Sequence, residues 1–291
     1  LNSDYIDCNQ LMQAVNNGMQ YGENTDLLML SDENIAQLNT ESLQDSIAQT
    51  ETDTTSQLFV LPAFLDVALH TNAKRIDFKD LELKNVVGEI VLRDQSINLS
   101  KLNIQSNMGN GNLTMVYRAK NGQEATAGLD LDMEDVKVEK LIALFPSIDT
   151  LVPMLRSFEG VLDCQVTATC KMDSTMSLIM PSINSSCYLH GDNMVLLDGE
   201  TFTEISKTLM FKNKKRNMID SISVDLAIKD NKIEVFPFLV EMDRYKVAVG
   251  GTHNLDMTFN YHLSVLKSPV PFKLGIDITG NLDDFKYKIT K

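Results

Sequence analysis

The chain has 291 residues, of which 43% are hydrophobic, so it is long and apolar enough to bury a substantial core. Its 40 acidic and 26 basic residues give a formal net charge of −14. This charge argues against binding to nucleic acid and against docking on anionic lipid headgroups, because both need clustered Lys and Arg.

The first 57 residues differ in composition from the rest of the chain. Residues 7–15 begin with a capping-box pattern, which predicts a short helix. Residues 16–57 are rich in small polar and acidic side chains, and the chain has no Lys or Arg before Lys74. We therefore expect residues 1–57 to form a short helix followed by an acidic, largely disordered linker.

From residue 58 onward, apolar and polar residues alternate, which predicts strands with one apolar face and one wet face. The clearest runs are 129–134, 162–173, 221–229 and 254–265, two of them about a dozen residues or ~40 Å long. The apolar side chains that we select as candidates for lining one face are Leu129, Leu131, Met133, Leu162, Val166, Ile222, Val224, Leu226, Ile228, Val247, Val249, Leu255, Met257, Phe259, Tyr261 and Leu263.

Short turn signals separate these strands and imply that neighbours in sequence are antiparallel neighbours in the sheet. The signals lie at residues 107–111, 121–122, 230–231, 250–251 and 280–281. A weak internal repeat supports the same organisation, because residues 93–99 resemble residues 229–235, each a turn that leads into a strand. The sequence thus predicts a sheet that grows by the addition of hairpins.

Two helical insertions are predicted within this β region. Residues 138–158 have apolar side chains at helical spacing, and Pro146 and Pro153 are expected to split this helix. Residues 201–210 begin with a second capping box. Each helix would cap an end of the sheet or cover its apolar face. The alternation does not choose between a second sheet, a helix layer and a ligand as the main cover.

The four cysteines, Cys8, Cys164, Cys170 and Cys187, form no CxxC pair, so zinc and redox motifs are absent. Cys164 and Cys170 lie six residues apart on one predicted strand, roughly 20 Å, and cannot bond to each other. Either one could pair with Cys187 on a neighbouring strand. The alternative is that these cysteines are small buried hydrophobes.

No catalytic constellation emerges from the sequence. There is no GxSxG, HExxH, P-loop or GxGxxG motif, and the four His are far apart in the chain. His262 falls on the wet side of its predicted strand. We therefore predict a protein that is not an enzyme and that uses no metal or cofactor.

A family resemblance rests on the order of several diffuse motifs. The motifs are a helix with Phe202 and Ile205, the strand and turn 222–233, the series 247–256, the segments 261–263 and 268–271, and the closing segment 275–284. In this order they resemble the C-terminal region of AsmA-like envelope proteins of the Bacteroidetes type. Residues 81–173 resemble the preceding strands of the same family, so the likeness covers about residues 58–291.

The resemblance implies a mainly β fold with a few helices, in which residues 58–291 form a long, curved, twisted antiparallel sheet with an elongated groove. It also implies a periplasmic domain that is anchored to the inner membrane by an upstream helix absent from this chain. AsmA-like proteins are similar to bridge-like lipid-transfer proteins, in which the sheet forms a groove with a lipid-lined interior. The family offers no catalytic residues to carry over.

The expected function is therefore non-enzymatic. The groove would bind or conduct acyl chains of phospholipid or a similar ligand, in support of inter-membrane lipid transport and outer-membrane homeostasis. Two alternatives stay open. One is a structural or scaffolding protein for outer-membrane assembly that acts through envelope protein partners, and the other is a polysaccharide-active β-protein, which the low aromatic content of 7% disfavours.

Overall fold

The computed structural model of the protein describes residues 2–10, 58–78, 81–144, 155–156, 158–196, 217–242, 245–256, 258–268, 274–281 and 284–290. Strands dominate these residues, and one sheet contains them all. The strands are β1 (Asn2–Ser3), β2 (Ile6–Asp7), β3 (Val67–Phe78), β4 (Leu81–Arg93), β5 (Ser96–Ser106), β6 (Asn110–Ala119), β7 (Glu124–Lys137), β8 (Phe158–Glu159), β9 (Val161–Asp173), β10 (Asn184–Leu196), β11 (Asn217–Lys229), β12 (Lys232–Met242), β13 (Tyr245–Asn254), β14 (Phe259–Lys267), β15 (Leu274–Gly280) and β16 (Phe285–Thr290).

The sheet follows the chain almost strand by strand. Its order is β1-β3-β4-β5-β6-β7-β9-β10-β11-β12-β13-β14-β15-β16, with β2 beside β3 and β8 beside β10. Neighbours from β3 to β16 are antiparallel, whereas β1 and β2 run parallel to β3, so the sheet is mixed at one edge. The sheet is open and long, which confirms the predicted fold class.

Two-residue turns build the repeated hairpins. Asp94 and Gln95 join β4 to β5 with φ of 51° and 57°, and Asp230 and Asn231 join β11 to β12 with φ of 52° and 63°. Positive φ at both central residues matches the twist of a type I′ hairpin turn. The two halves of the sequence repeat therefore form the same supersecondary unit, as predicted.

Bulges then bend the strands without turning their apolar residues to the wet face. Asn85, Lys101 and Asp135 have positive φ, and the strand register shifts at each of them. Around each bulge, the buried and half-buried apolar side chains step by three residues instead of two. These steps run from Leu83 to Val86, from Leu99 to Leu102 and from Met133 to Val136. Bulges of this kind increase local twist and curvature, so they help to curl the sheet.

The predicted single strand over residues 254–265 is wrong, because a hairpin turn interrupts it. β13 ends at Asn254 and β14 begins at Phe259. The Asp256 side chain accepts hydrogen bonds from the backbone N–H and the hydroxyl of Thr258, at 2.9 and 2.6 Å. This local side-chain bonding stabilises a turn that a periodic apolar pattern does not show.

The prediction of a turn at residues 250–251 is also wrong, since both glycines lie inside β13. A Cβ on Gly251 would lie 2.3 Å from the carbonyl oxygen of Asn260, and a Cβ on Gly250 would lie 3.1 Å from the Cα of Pro237. These glycines therefore allow a close approach of neighbouring strands, which is the other reason for glycine in a strand.

An α-helix, α1 (Val138–Leu144), begins directly after β7. It falls at the start of the helix predicted over 138–158, and residues 145–154 lie outside the described residues. Phe158 was placed at the end of that helix, but it pairs with Leu196 in the sheet as part of β8. The predicted helix at 201–210 and residues 11–57 lie outside the described part of the chain.

At the N-terminus, Asp7 behaves as a helix cap. Its carboxylate accepts hydrogen bonds from the backbone N–H groups of Asn9 and Gln10, at 2.9 and 3.0 Å. Residues 8–10 are helical, in agreement with the predicted start of a helix after Asp7.

Candidate functional site

The apolar face of the sheet carries the predicted residues. The buried or half-buried side chains of β7, β9 and β11 alternate with exposed polar ones, as the sequence predicted. Leu162, Ile222 and Leu226 are among the most buried. Leu255 lies in the turn after β13 and packs against this face. Met257 lies outside the described residues.

A cavity opens on this face. Its atom-free space is about 720 Å³, part of which is open to solvent. Five predicted residues line it, namely Leu162, Ile222, Val224, Leu226 and Tyr261. The sequence prediction missed the other ten lining residues, Leu155, Phe158, Leu189, His190, Gly191, Met194, Ile233, Val235, Phe238 and His253.

The cavity shows directly that the sheet is curved. Leu162 on β9 and Tyr261 on β14 line the same cavity, although five strand spacings separate them in the sheet order. In a flat sheet that separation would be about 24 Å. The strands therefore curl toward one another, and the apolar face is the concave one.

Closely packed clusters border the cavity along the strand direction. On one side, Val138 and Leu141 of α1 pack with Leu155 and Met194. On the other side, Ile183 packs with residues of β11 and β12, with Met180 and Leu255 against them. The concave face therefore contains an apolar pocket between two filled regions.

The other predicted residues lie on the same face, and most of them belong to or pack against hydrophobic clusters. Ile228 belongs to the cluster around Ile183, whereas Val247 and Val249 form a further cluster with Val265. Met133 belongs to the cluster beside α1, and Leu131 packs against it. Phe259 contacts the Tyr261 ring at a centroid distance of 6.1 Å. Leu129, Val166 and Leu263 are half-buried on β7, β9 and β14.

Two polar side chains lie in the cavity wall and bond to each other. The Nδ1 atom of His253 lies 2.9 Å from the hydroxyl oxygen of Tyr261, and both side chains are buried. Burial raises the pKa of Tyr261 to about 12, so the phenol stays neutral near pH 7. The lining residues thus include one phenol and two imidazoles, those of His190 and His253, but no carboxylate and no ammonium group.

The cavity-lining residues on β10 were not predicted because the apolar alternation of this strand is weak. The inward positions of this strand include Ser185 and Gly191, which break the apolar alternation. Asn193 then adopts a positive φ of 53°, and Met194 is the next buried residue after Gly191. The Met194 sulfur would lie only 2.8 Å from a Cβ at Gly191, so the glycine makes room for this side chain.

All four cysteines are free thiols. Cys187 pairs with Val166 across β9 and β10, which places it diagonally to Cys164 on the concave face. Burial raises the pKa of Cys164 to about 11 and that of Cys187 to about 12. These two side chains therefore behave as small hydrophobes, the second of the two interpretations left open by the sequence.

The convex face carries a hydrogen-bonded chain of polar residues. His262 contacts Asp277 through Nδ1 at 2.5 Å and Ser264 through Nε2 at 3.0 Å. This connectivity is that of a hydrolase triad, but the His262 side chain is 52% exposed and lies on the side of the sheet away from the cavity. We interpret the chain as a surface network that links β14 to β15.

Across the residues that the structure describes, no group of three or more His, Cys, Asp or Glu could hold a metal ion. The described helices include none that is long and apolar enough to cross a bilayer. A scan against protein-family models matches no family, and searches among curated proteins and solved structures find no significant match.

Proposed function

We propose that this protein binds lipid acyl chains on the concave face of its sheet and performs no catalysis. The observation that carries the proposal is the cavity of about 720 Å³, whose wall is made almost entirely of apolar side chains. Small-molecule sites are typically concave and lined mainly by apolar side chains with a few polar groups, and this wall has that composition.

The chemistry of the wall favours hydrocarbon over polar ligands. Val224, Leu226 and Phe238 supply aliphatic and aromatic surface, and the polar residues of the wall are His190 and the buried, mutually bonded His253–Tyr261 pair. Each methylene group that leaves water for such a wall contributes about 0.8 kcal/mol. An acyl chain therefore gains affinity along its length without needing a charged partner in the cavity.

The filled clusters on either side of the cavity favour holding a chain over conducting one. Ile219 in one cluster and Ile233, which belongs to the other cluster and also lines the cavity, are 1% and 0% exposed, so both side chains are fully covered by other protein atoms. A chain that slid along the groove would have to displace these side chains. We therefore propose that the groove holds an acyl chain at this one cavity, with packed side chains on both sides of it.

The wider setting of the proposal comes from the resemblance to AsmA-like proteins. On that basis we propose a periplasmic domain attached to the inner membrane by an upstream helix, with phospholipid as the ligand and inter-membrane lipid transport as the process it supports. The long open sheet with an apolar concave face is the feature that supports this placement.

The test is a matched pair of substitutions on β11. Val224 faces the cavity, and its neighbour Ser223 faces the opposite side and is exposed. Val224→Asp places a carboxylate in the apolar wall, whereas Ser223→Asp places the same charge in water. In a titration with a fluorescent fatty acid, we expect Val224→Asp to bind more than about tenfold more weakly than the native protein.

Ser223→Asp should bind like the native protein, and circular dichroism should show folded β structure for both variants. Equal affinity in the two variants would place the fatty acid outside the cavity and would contradict the proposal. A lack of binding by the native protein would favour the scaffolding alternative.

A further inference from the structure

The two edges of the sheet are finished differently. At the first edge, β1 and β2 pair with β3, and side chains of the residues between β1 and β2 also bond to β3. The Lys74 ammonium lies 2.7 Å from the Asp4 carboxylate, and the Tyr5 hydroxyl donates to Asp77 at 3.1 Å. Among the described residues, β16 at the last edge pairs with β15 and with no other strand.

The apolar side chains of β16 are much more exposed than their partners on β15. On the concave face of β15, Ile276 and Ile278 are 1% and 6% exposed. Their cross-strand partners on β16, Ile289 and Tyr287, are 45% and 46% exposed. The apolar face therefore continues onto β16, where one further strand would bury it.

The opposite face of β16 carries positive charge. Lys286 and Lys288 alternate with the apolar residues and are exposed. Neither forms an ion pair within the part of the chain that the structure describes. Asp277, which lies opposite Lys288, is already bonded to His262.

We propose that the β16 edge binds an extended segment of a partner protein that alternates apolar residues with Asp or Glu. Such a segment would add a strand to the sheet, cover Tyr287 and Ile289 on the concave face, and place its carboxylates beside Lys286 and Lys288. This strand addition is separate from the binding of acyl chains.

The same charges disfavour a second copy of this chain as the occupant. An antiparallel pairing of two β16 strands centred on Tyr287 would align their apolar faces. It would also place Lys286 of each copy opposite Lys288 of the other, and like charges directly opposite each other destabilise a strand pair. An acidic partner strand removes that repulsion.

The test uses two short synthetic peptides, one that alternates valine with glutamate and one that alternates valine with lysine. We expect the glutamate peptide to bind the native protein, to protect β16 amides from hydrogen exchange, and to bind at least about tenfold more tightly than the lysine peptide. The double substitution Lys286→Glu/Lys288→Glu should reverse this preference.

The control is Lys232→Glu, the same type of substitution at one exposed position on the interior strand β12, which should leave the preference unchanged. Three results would overturn the proposal. They are no binding of the glutamate peptide to the native protein, a peptide preference that the double substitution does not change, and a native dimer in sedimentation whose interface is β16.

Discussion

Cys164 and Cys187 are thiols that point into the concave face, and burial has a direct chemical consequence for both. The pKa of Cys164 is raised to about 11 and that of Cys187 to about 12, from the ordinary value of 9.0. The folded protein holds these protons more tightly than the unfolded chain does. Their contribution to stability is therefore complete below about pH 9 and is lost as the pH rises toward 11 and 12.

We expect slow alkylation of Cys187 by iodoacetamide in the folded protein at pH 9, because only the thiolate reacts. With a pKa of about 12, the thiolate fraction is roughly a few hundred times smaller than in the unfolded chain. Peptide mass spectrometry of timed samples measures the rate, with urea-unfolded protein as the control. Equal rates in the folded and unfolded protein would show that Cys187 is not buried.

Gly251 illustrates how far a sequence pattern can predict this fold. A pair of glycines is typical of a turn, and the pattern predicted one here. Glycine is needed here for another reason, because the backbone of Asn260 leaves no room for a Cβ at Gly251. Such a contact joins two strands and is not visible in a local pattern. The turns at Asp94–Gln95 and Asp230–Asn231 were predictable because the turn residues themselves fix their geometry.

The strand β13 therefore offers a prediction at the level of an element. Gly251→Ala should lower the free energy of unfolding by about 1–3 kcal/mol, because the new methyl group would lie 2.3 Å from the Asn260 carbonyl oxygen. Gly122→Ala is the matched control, since no atom lies within 4 Å of its added Cβ. Urea denaturation measures both.

The control should stay within about 0.5 kcal/mol of the native protein. A Gly251→Ala variant as stable as the native protein would mean that β13 and β14 are not paired in this register.

For the whole molecule, alternation predicted amphipathic strands and short links predicted antiparallel neighbours, and both are found. These two patterns could not predict the shape of the sheet, because the strands of a sandwich and of a groove show the same alternation. Bulges at residues such as Lys101 and Asp135 increase local twist and curvature, and each appears in sequence only as a three-residue step between apolar side chains. The cavity needed that curvature, so only part of its wall was predictable.

The central claim is that hydrocarbon occupies the concave face, and native mass spectrometry of protein purified without detergent tests it most directly. After incubation with phospholipid vesicles, we expect a species heavier by the mass of one phospholipid, because the apolar cavity is one site with packed clusters on both sides. The added mass should be absent in Val224→Asp and present in Ser223→Asp. Native protein that stays at its unliganded mass, or that carries the same lipid mass in both variants, would contradict the account.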